Sequence, residues 1–471
     1  MPMKSSNKFD RLFWILFFCL TLVIGFLLIR GDQSYPRVVD TNLKNESLPL
    51  STNQIVLTFN RNMDHASVEN HFSITPKIEG KFSWIGKKMA FSFKESLASN
   101  QSISIELSQA EDELGNLMQS YQKNYQTQSQ FLYFIGSEKD QKDQLVGFDL
   151  NQEKTTILSP KNLVIKDFRV HPDQNLIYLL GYKKSADETK NNLYELDRKS
   201  GRLKVLVDGQ KEYIFAFELS PDGNILLARK GSINPYDQSS LVDPGSLWTY
   251  EINRQKWTIF WNKELYGSEF YFSPDSNYLV GRMITGDITI LPVIENPDKV
   301  VYLENYAGNY NLSPNGRQLV FVDFPDPFSP NDLLLRNNDG TTQTLVEKGG
   351  QIQFPIFNKN GNRIYFLMSK VTDDFEETGL LSISPFHLYA YDLEQQKLIQ
   401  LTDEEKYFEG FFHLSTDGKW VAFERYEAAE SGQFFEQQLD ENSPGAELWI
   451  YDTAKNTPKN LGIHGTKPFL N

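Results

Sequence analysis

Cysteine is all but absent: Cys19 is the only one in 471 residues, so the chain forms no internal disulfide and holds no C-x-x-C metal or redox motif. Histidine is nearly as scarce, with six residues at 65, 71, 171, 387, 413 and 464, and neither H-E-x-x-H nor any other paired ligand spacing occurs. Basic residues are outnumbered, 47 Lys and Arg against 61 Asp and Glu, and a net charge of −14 leaves no basic stripe for nucleic acid. No G-x-S-x-G pentapeptide is present, which excludes the nucleophile elbow of an α/β-hydrolase. Long apolar runs are missing too, with one exception at the amino terminus.

That exception is LFWILFFCLTLVIGFLLI, residues 12–29, eighteen uncharged residues. As a helix it would span about 27 Å at roughly 1.5 Å per residue, close to the ~30 Å hydrocarbon core of a bilayer. Lys4, Lys8 and Arg11 precede it, so the positive-inside rule places residues 1–11 in the cytoplasm. A cleaved signal peptide would have a shorter apolar region ending in small residues. Here the run ends in Leu-Ile-Arg-Gly-Asp, and the expectation is an uncleaved, single-pass plasma-membrane anchor followed by a linker at 30–38. The bulk of the chain is then periplasmic or extracellular.

From 39 to 128 the pattern is short alternating strands with polar turns, the signal for a β-sandwich. QIVLTFN (54–60), NHFSITP (70–76), KFSWIG (81–86), KMAFSF (88–93) and SISIEL (102–107) each offer one apolar face. The segments Phe59 to Asp64, Phe72 to Pro76 and Asp112 to Leu117 resemble the bacterial Ig-like family of the SbsA type. That resemblance implies a spacer or adhesive module rather than a site of chemistry.

The remaining residues, 129–471, carry a repeat. An apolar strand enters a short turn and leaves as another apolar strand in FRVHPDQNLIYLL (168–180), FELSPDGNILLAR (217–229), FYFSPDSNYLVGR (270–282), YNLSPNGRQLVFV (310–322), PIFNKNGNRIYFL (355–367) and FHLSTDGKWVAFE (412–424). The turn Asp or Asn recurs at gaps of 49, 53, 40, 45 and 57 residues. A supersecondary unit at that period means a propeller, a solenoid or an array. Each copy is followed by a second hairpin, which completes a four-stranded blade. A seventh hairpin, LVGFDLNQEKTTIL (145–158), follows the strand FLYFIG (131–136) but has no inner strand of its own. Pro468-Phe469-Leu470-Asn471 matches Pro355-Ile356-Phe357-Asn358, so the carboxyl-terminal segment is expected to supply it and close seven blades, with six as the fallback. The repeats resemble the TolB-type, WD-like propeller repeat, a signature specific for fold and silent on function. The expected fold is mainly β: an N-terminal transmembrane helix, an Ig-like β-sandwich and a seven-bladed β-propeller.

Two places could carry function. Aligning the inner strands puts Arg169, Glu218, Tyr271, Asn311, Ile356, His413 and Phe469 at one position. The polar members Arg169, Glu218, Tyr271, Asn311 and His413 form a channel site, or else satisfy one another and ordered water. The long connections at 182–192, 230–246, 323–332, 369–387 and 425–447 should emerge on one face of the disc. Asp373, Asp374, Glu376, Glu377, Phe434, Phe435, Asp440 and Glu441 make that face an acidic, partly aromatic docking surface, or a solvated one that keeps the protein soluble. The expectation is a binding or assembly platform with a protein partner in the cell envelope, no catalytic residues and no cofactor. A Ca²⁺-dependent contact is the only ion the acidic loops suggest, and no other feature supports it. The alternatives are a propeller lyase or hydrolase acting on saccharide or peptide in the channel, and a structural subunit of an envelope complex.

Overall fold

The structure, a computed structural model, describes residues 12–22, 35–44, 46–50, 52–185, 190–232, 246–261, 265–283, 287–293, 301–305, 308–323, 330–371, 384–427 and 445–471. It divides into two compact units: Met1–Glu46, Asn53–Glu95 and Ser102–Gln126 in one, and Ser47–Thr52, Ser96–Gln101 and Thr127–Asn471 in the other. Residues 12–22 are helical and expose every side chain. Residues 23–29 of the expected anchor lie outside the described residues. No helix among the described residues is long and apolar enough to cross a membrane.

In the first unit, Val38–Thr41, Gln54–Phe59, Lys88–Phe93 and Gly80–Ile85 lie side by side in one antiparallel sheet. Tyr121–Thr127, Ser102–Leu107 and Phe72–Thr75 are neighbours in a second. Period-two alternation buries Ile55, Leu57 and Phe59 from one strand and Ile103, Ile105 and Leu107 from another. The strand expected from residue 70 begins at Phe72, because His65–His71 forms a short helix. Asp64 caps it: its carboxylate accepts the Ser67 amide at 2.8 Å and satisfies one otherwise orphaned donor.

The second unit is a succession of four-stranded antiparallel sheets. Leu163–Val170, Leu176–Lys183, Asn192–Asp197 and Leu203–Val207 make one, and Glu212–Leu219, Ile225–Ser232, Ser246–Glu251 and Lys256–Trp261 the next. Two long strands each serve two consecutive sheets. Thr342–Phe357 pairs by its first half with Asn331–Asn337 and by its second half with Arg363–Ser369. Thr457–Leu470 pairs first with Glu447–Asp452 and then, at Gly465 to Leu470, with Phe131–Gly136. Counted with these shared strands, the described residues from Phe131 onward form seven four-stranded sheets.

The last pairing joins the two ends of the succession, where the match of Pro468-Phe469-Leu470-Asn471 to the fifth repeat put it. Leu470 is fully buried among Leu132, Phe134, Val146 and Phe148 on one side and Ala422, Leu448 and Ile450 on the other. Asn471 clamps the junction. Its amide donates to Phe131 O at 3.2 Å, its side-chain amide donates to Ser129 O at 3.1 Å, and its carbonyl accepts Gln130 Nε2 at 2.8 Å. This pairing covers the edge of Phe131–Gly136 that would otherwise lie open.

The repeated turns work through a fixed set of hydrogen bonds. The Ser220 hydroxyl donates to Asp222 at 2.6 Å and accepts the Ile225 amide at 2.9 Å, while Gly223 sits at φ 74°. The same pattern recurs at Ser273/Asp275, Ser313/Asn315 and Ser415/Asp417. In the divergent fifth copy the Asn358 side chain accepts the Asn362 and Arg363 amides, each at 3.1 Å, and replaces the missing serine. In the first copy His171 takes that place, bonded to Asp173 at 2.7 Å and, across to the next blade, to Gly223 O at 2.9 Å.

Candidate functional site

The strand registers place the seven aligned residues equivalently. Arg169 pairs with Tyr178, Glu218 with Leu227, Tyr271 with Val280, Asn311 with Val320, Ile356 with Tyr365, His413 with Ala422 and Phe469 with Tyr133. Their side chains meet those of the adjoining inner strands. Arg169 Nε donates to both carboxylate oxygens of Glu218, at 2.9 and 3.0 Å, and Nη1 lies 3.2 Å from Asp167. Lys467 Nζ is 3.3 Å from the same Asp167, so the charges alternate Lys467, Asp167, Arg169, Glu218 across three blades. Burial pushes the Glu218 carboxyl above its ordinary value against the pull of Arg169, whose own charge is held firmly by the two carboxylates.

The other members act as inter-blade latches. Asn311 Oδ1 accepts the Phe357 amide at 3.2 Å, and Asn309 Oδ1 accepts that of Phe354 at 3.2 Å. His413 Nδ1 accepts the Leu470 amide at 3.2 Å, the equivalent bond at the closing strand, and its ring lies 4.4 Å from that of Phe469. A ring nitrogen that accepts cannot carry the proton, so His413 is the neutral Nε2–H tautomer. Burial, with the Arg169 charge adding to it, pushes its pKa down to about 4. Tyr271 packs against Tyr310 with ring centroids 5.7 Å apart, and burial raises its phenol well above the usual range. Arg169, Glu218, Asn311 and His413 are thus engaged in joining strands, and together with Tyr271 they show no nucleophile–base pair.

A second polar cluster escaped sequence reading. Glu409 is buried, its Oε1 accepts Arg425 Nε and Nη2 at 3.0 and 2.8 Å, and its Oε2 lies 2.8 Å from His387 Nδ1. Arg425 also reaches Glu404 at 3.1 Å, and its guanidinium lies 4.2 Å from the centre of the Trp449 ring. The only available signal was a glutamate at an inward register of Tyr407–Leu414, and its partners lie 16 and 22 residues away on other strands. Among the described residues no group of three or more His, Cys, Asp or Glu side chains converges as metal ligands.

Beside this cluster a cavity of about 190 Å³ opens between two blades, lined by Gln353, Phe354, Leu367, Phe386, Phe408, Glu409, Gly410 and Phe411. Two β-bulges build it, one between Gln353 and Ile356 and one between Glu409 and Phe412. The first sets Phe354 at φ 52°, a left-handed conformation unusual for a bulky residue. Phe354 and Phe411 remain 44% and 43% exposed. The register fixes the face. Gln351 pairs with Ser369 and Tyr407 with Glu427, so these inner strands begin where the connections 369–387 and 425–447 leave. The expected loop residues Asp373, Asp374, Glu376, Glu377, Phe434, Phe435, Asp440 and Glu441 lie outside the described residues.

The bacterial Ig-like domain family matches residues 32–131. No curated protein sequence matches the chain. Among solved structures, the chain is similar to a putative TolB from Agrobacterium tumefaciens (16% identity, 57% of this chain and 87% of that one, TM-score 0.38). It is also similar to the β-propeller domain of the Trilobed protease from Pyrococcus furiosus (13%, 79% and 97%, TM-score 0.47). A third is the oligogalacturonate lyase of Vibrio parahaemolyticus (11%, 72% and 86%, TM-score 0.47). At such identities and TM-scores these likenesses say nothing of function. The chain is thus mainly β, with a bacterial Ig-like domain followed by propeller-type sheets.

Proposed function

We propose that this protein is a membrane-anchored, extracytoplasmic binding platform, in which a seven-bladed propeller presents its long-loop face to a protein partner of the cell envelope. The observation that carries the reading is the phenylalanine-lined cavity on that face. Its volume of about 190 Å³ suits one large apolar side chain, below the roughly 300 Å³ at which small-molecule sites begin. A backbone strained at Phe354 to hold an aromatic ring half exposed is a feature that function, rather than stability, would preserve. Anchoring rests on the apolar run 12–29: the described part, 12–22, is a helix with every side chain exposed, and lipid is the natural solvent for such a surface.

The test is co-purification of the detergent-solubilised protein. A stoichiometric partner should accompany the wild type and be lost from a Phe354→Ser/Phe411→Ser variant whose thermal unfolding is otherwise preserved. A partner held equally by both proteins would refute the role of this cavity.

A further inference from the structure

The Ig-like unit has an end crowded with exposed apolar side chains. Ile85 is 84% exposed at the tip of the hairpin joining Gly80–Ile85 to Lys88–Phe93, where Gly86 at φ 56° makes the turn. Leu114 and Leu117 are 83% and 57% exposed on the Asp112 turn, and Tyr35 is 74% exposed where the described chain enters the unit. Four such side chains on loop tips do nothing for the sandwich core.

Hydrogen bonds place all three segments at the same end. Asn60 accepts the Arg37 amide at 2.9 Å and donates to Tyr35 O at 3.2 Å, while Lys87 Nζ donates to Asn60 O at 3.0 Å. Arg61 donates to Asp112 at 3.1 Å, and the Gln119 amide donates to Pro36 O at 2.8 Å. The Asp112 carboxylate in turn accepts the Leu114 and Asn116 amides at 3.0 and 2.8 Å, which fixes the loop that displays Leu114. Charges at this end are mixed: Arg37, Lys87 and Lys88 face outward together with Glu111 and Glu113.

The same end is the one tethered to the apolar run 12–29. Only residues 30–34 separate that run from Tyr35. Six Cα steps reach at most about 20 Å, and the headgroup layer on one side of a bilayer is itself about 5–8 Å thick. An end held so close to lipid, with aliphatic tips pointing outward, has the composition of an interfacial surface, where apolar groups enter the acyl boundary and basic groups meet phosphate.

We propose that the end of the Ig-like unit formed by Tyr35, Ile85, Leu114 and Leu117 docks on the bilayer surface that the anchor enters. This rests on the reading of 12–29 as a membrane segment. Docking would fix the orientation of the unit on the bilayer. The mixed charge means that insertion of the tips, rather than attraction to anionic lipid, holds the contact.

The experiment uses the full chain in phosphatidylcholine nanodiscs, with Cys19→Ala and single cysteines for a fluorophore introduced by Ile85→Cys, Leu114→Cys, Glu79→Cys or Leu20→Cys. Glu79 lies at the far end of the same hairpin. Quenching by lipids nitroxide-labelled near the headgroup should be severalfold stronger at 85 and 114 than at 79. Quenching at 85 and 114 no stronger than at 79, with position 20 quenched by lipids labelled deep in the acyl chain, would overturn the docking and leave the anchor standing. Position 20 left unquenched would overturn both. Shielding of 85 and 114 from water without lipid quenching would mean a protein neighbour, such as a second copy, and would also overturn the proposal.

Discussion

Acid should open the ring at its closing strand, and His413 sets the pH at which it does. The folded protein holds this imidazole neutral, with its pKa pushed down to about 4 from an ordinary 6.5, and Nδ1 accepts the Leu470 amide. Protonation removes the acceptor and places a cation near Arg169. The sign follows from linkage: between the two pKa values the opened state binds the proton and the closed state does not, so stability is complete above about pH 6.5 and falls as the pH drops toward 4. The difference reaches about 2 kcal/mol at pH 5, roughly a thirtyfold rise in opening, and levels off near 3 kcal/mol below pH 4. Hydrogen exchange of the 464–471 peptide, read as protection factors between pH 7.5 and 5, measures this opening. His413→Asn should keep the latch without the pH dependence, because Asn311 makes the equivalent bond with its side-chain oxygen. His413→Leu should lose about 1–3 kcal/mol at every pH, the cost of a buried, unpaired Leu470 amide. Glu218, raised by burial, pulls the other way as pH changes, so the informative quantity is wild type minus His413→Asn. An identical slope in the two proteins would refute the argument.

The buried Glu409–Arg425 pair makes a distinct prediction. Glu409→Gln should destabilise the propeller unit by about 3–5 kcal/mol in urea, whereas Glu409→Leu combined with Arg425→Met should cost far less, because the first leaves a buried charge half paired and the second removes both. A double variant as damaged as the single one would contradict that reasoning. Phe354→Gly relieves a left-handed strain of about 1–2 kcal/mol while deleting a cavity wall. Its unfolding free energy should stay within about 1 kcal/mol of wild type by denaturant titration, and Phe354→Ala, which keeps the strain, should be the less stable of the two.

What the sequence disclosed was whatever repeats or alternates. The Ser-Pro-Asp-Gly turns are legible because their bonds are local, closing within five residues, and even the copy that lacks serine keeps the turn through Asn358. The match of Phe469 to Ile356 revealed the closing strand because equivalent strands face equivalent neighbours. The cluster of Glu409, Arg425 and His387 was hidden because its members belong to three strands of two blades and share no spacing rule. The cavity was hidden for another reason: bulges at Phe354 and Phe411 break the alternation that would have assigned those side chains to the core. Ile85 read as the end of the strand KFSWIG and Leu114 as part of the segment Asp112 to Leu117, and only the fold brought the two to one end.

Photo-crosslinking in native membranes tests the binding platform most directly. A benzoyl-phenylalanine in place of Phe411, on the cavity face, should yield one discrete crosslinked protein. The same probe in place of Arg317, on the exposed turn face, should not. The same products from both faces, or none from Phe411, would contradict the account.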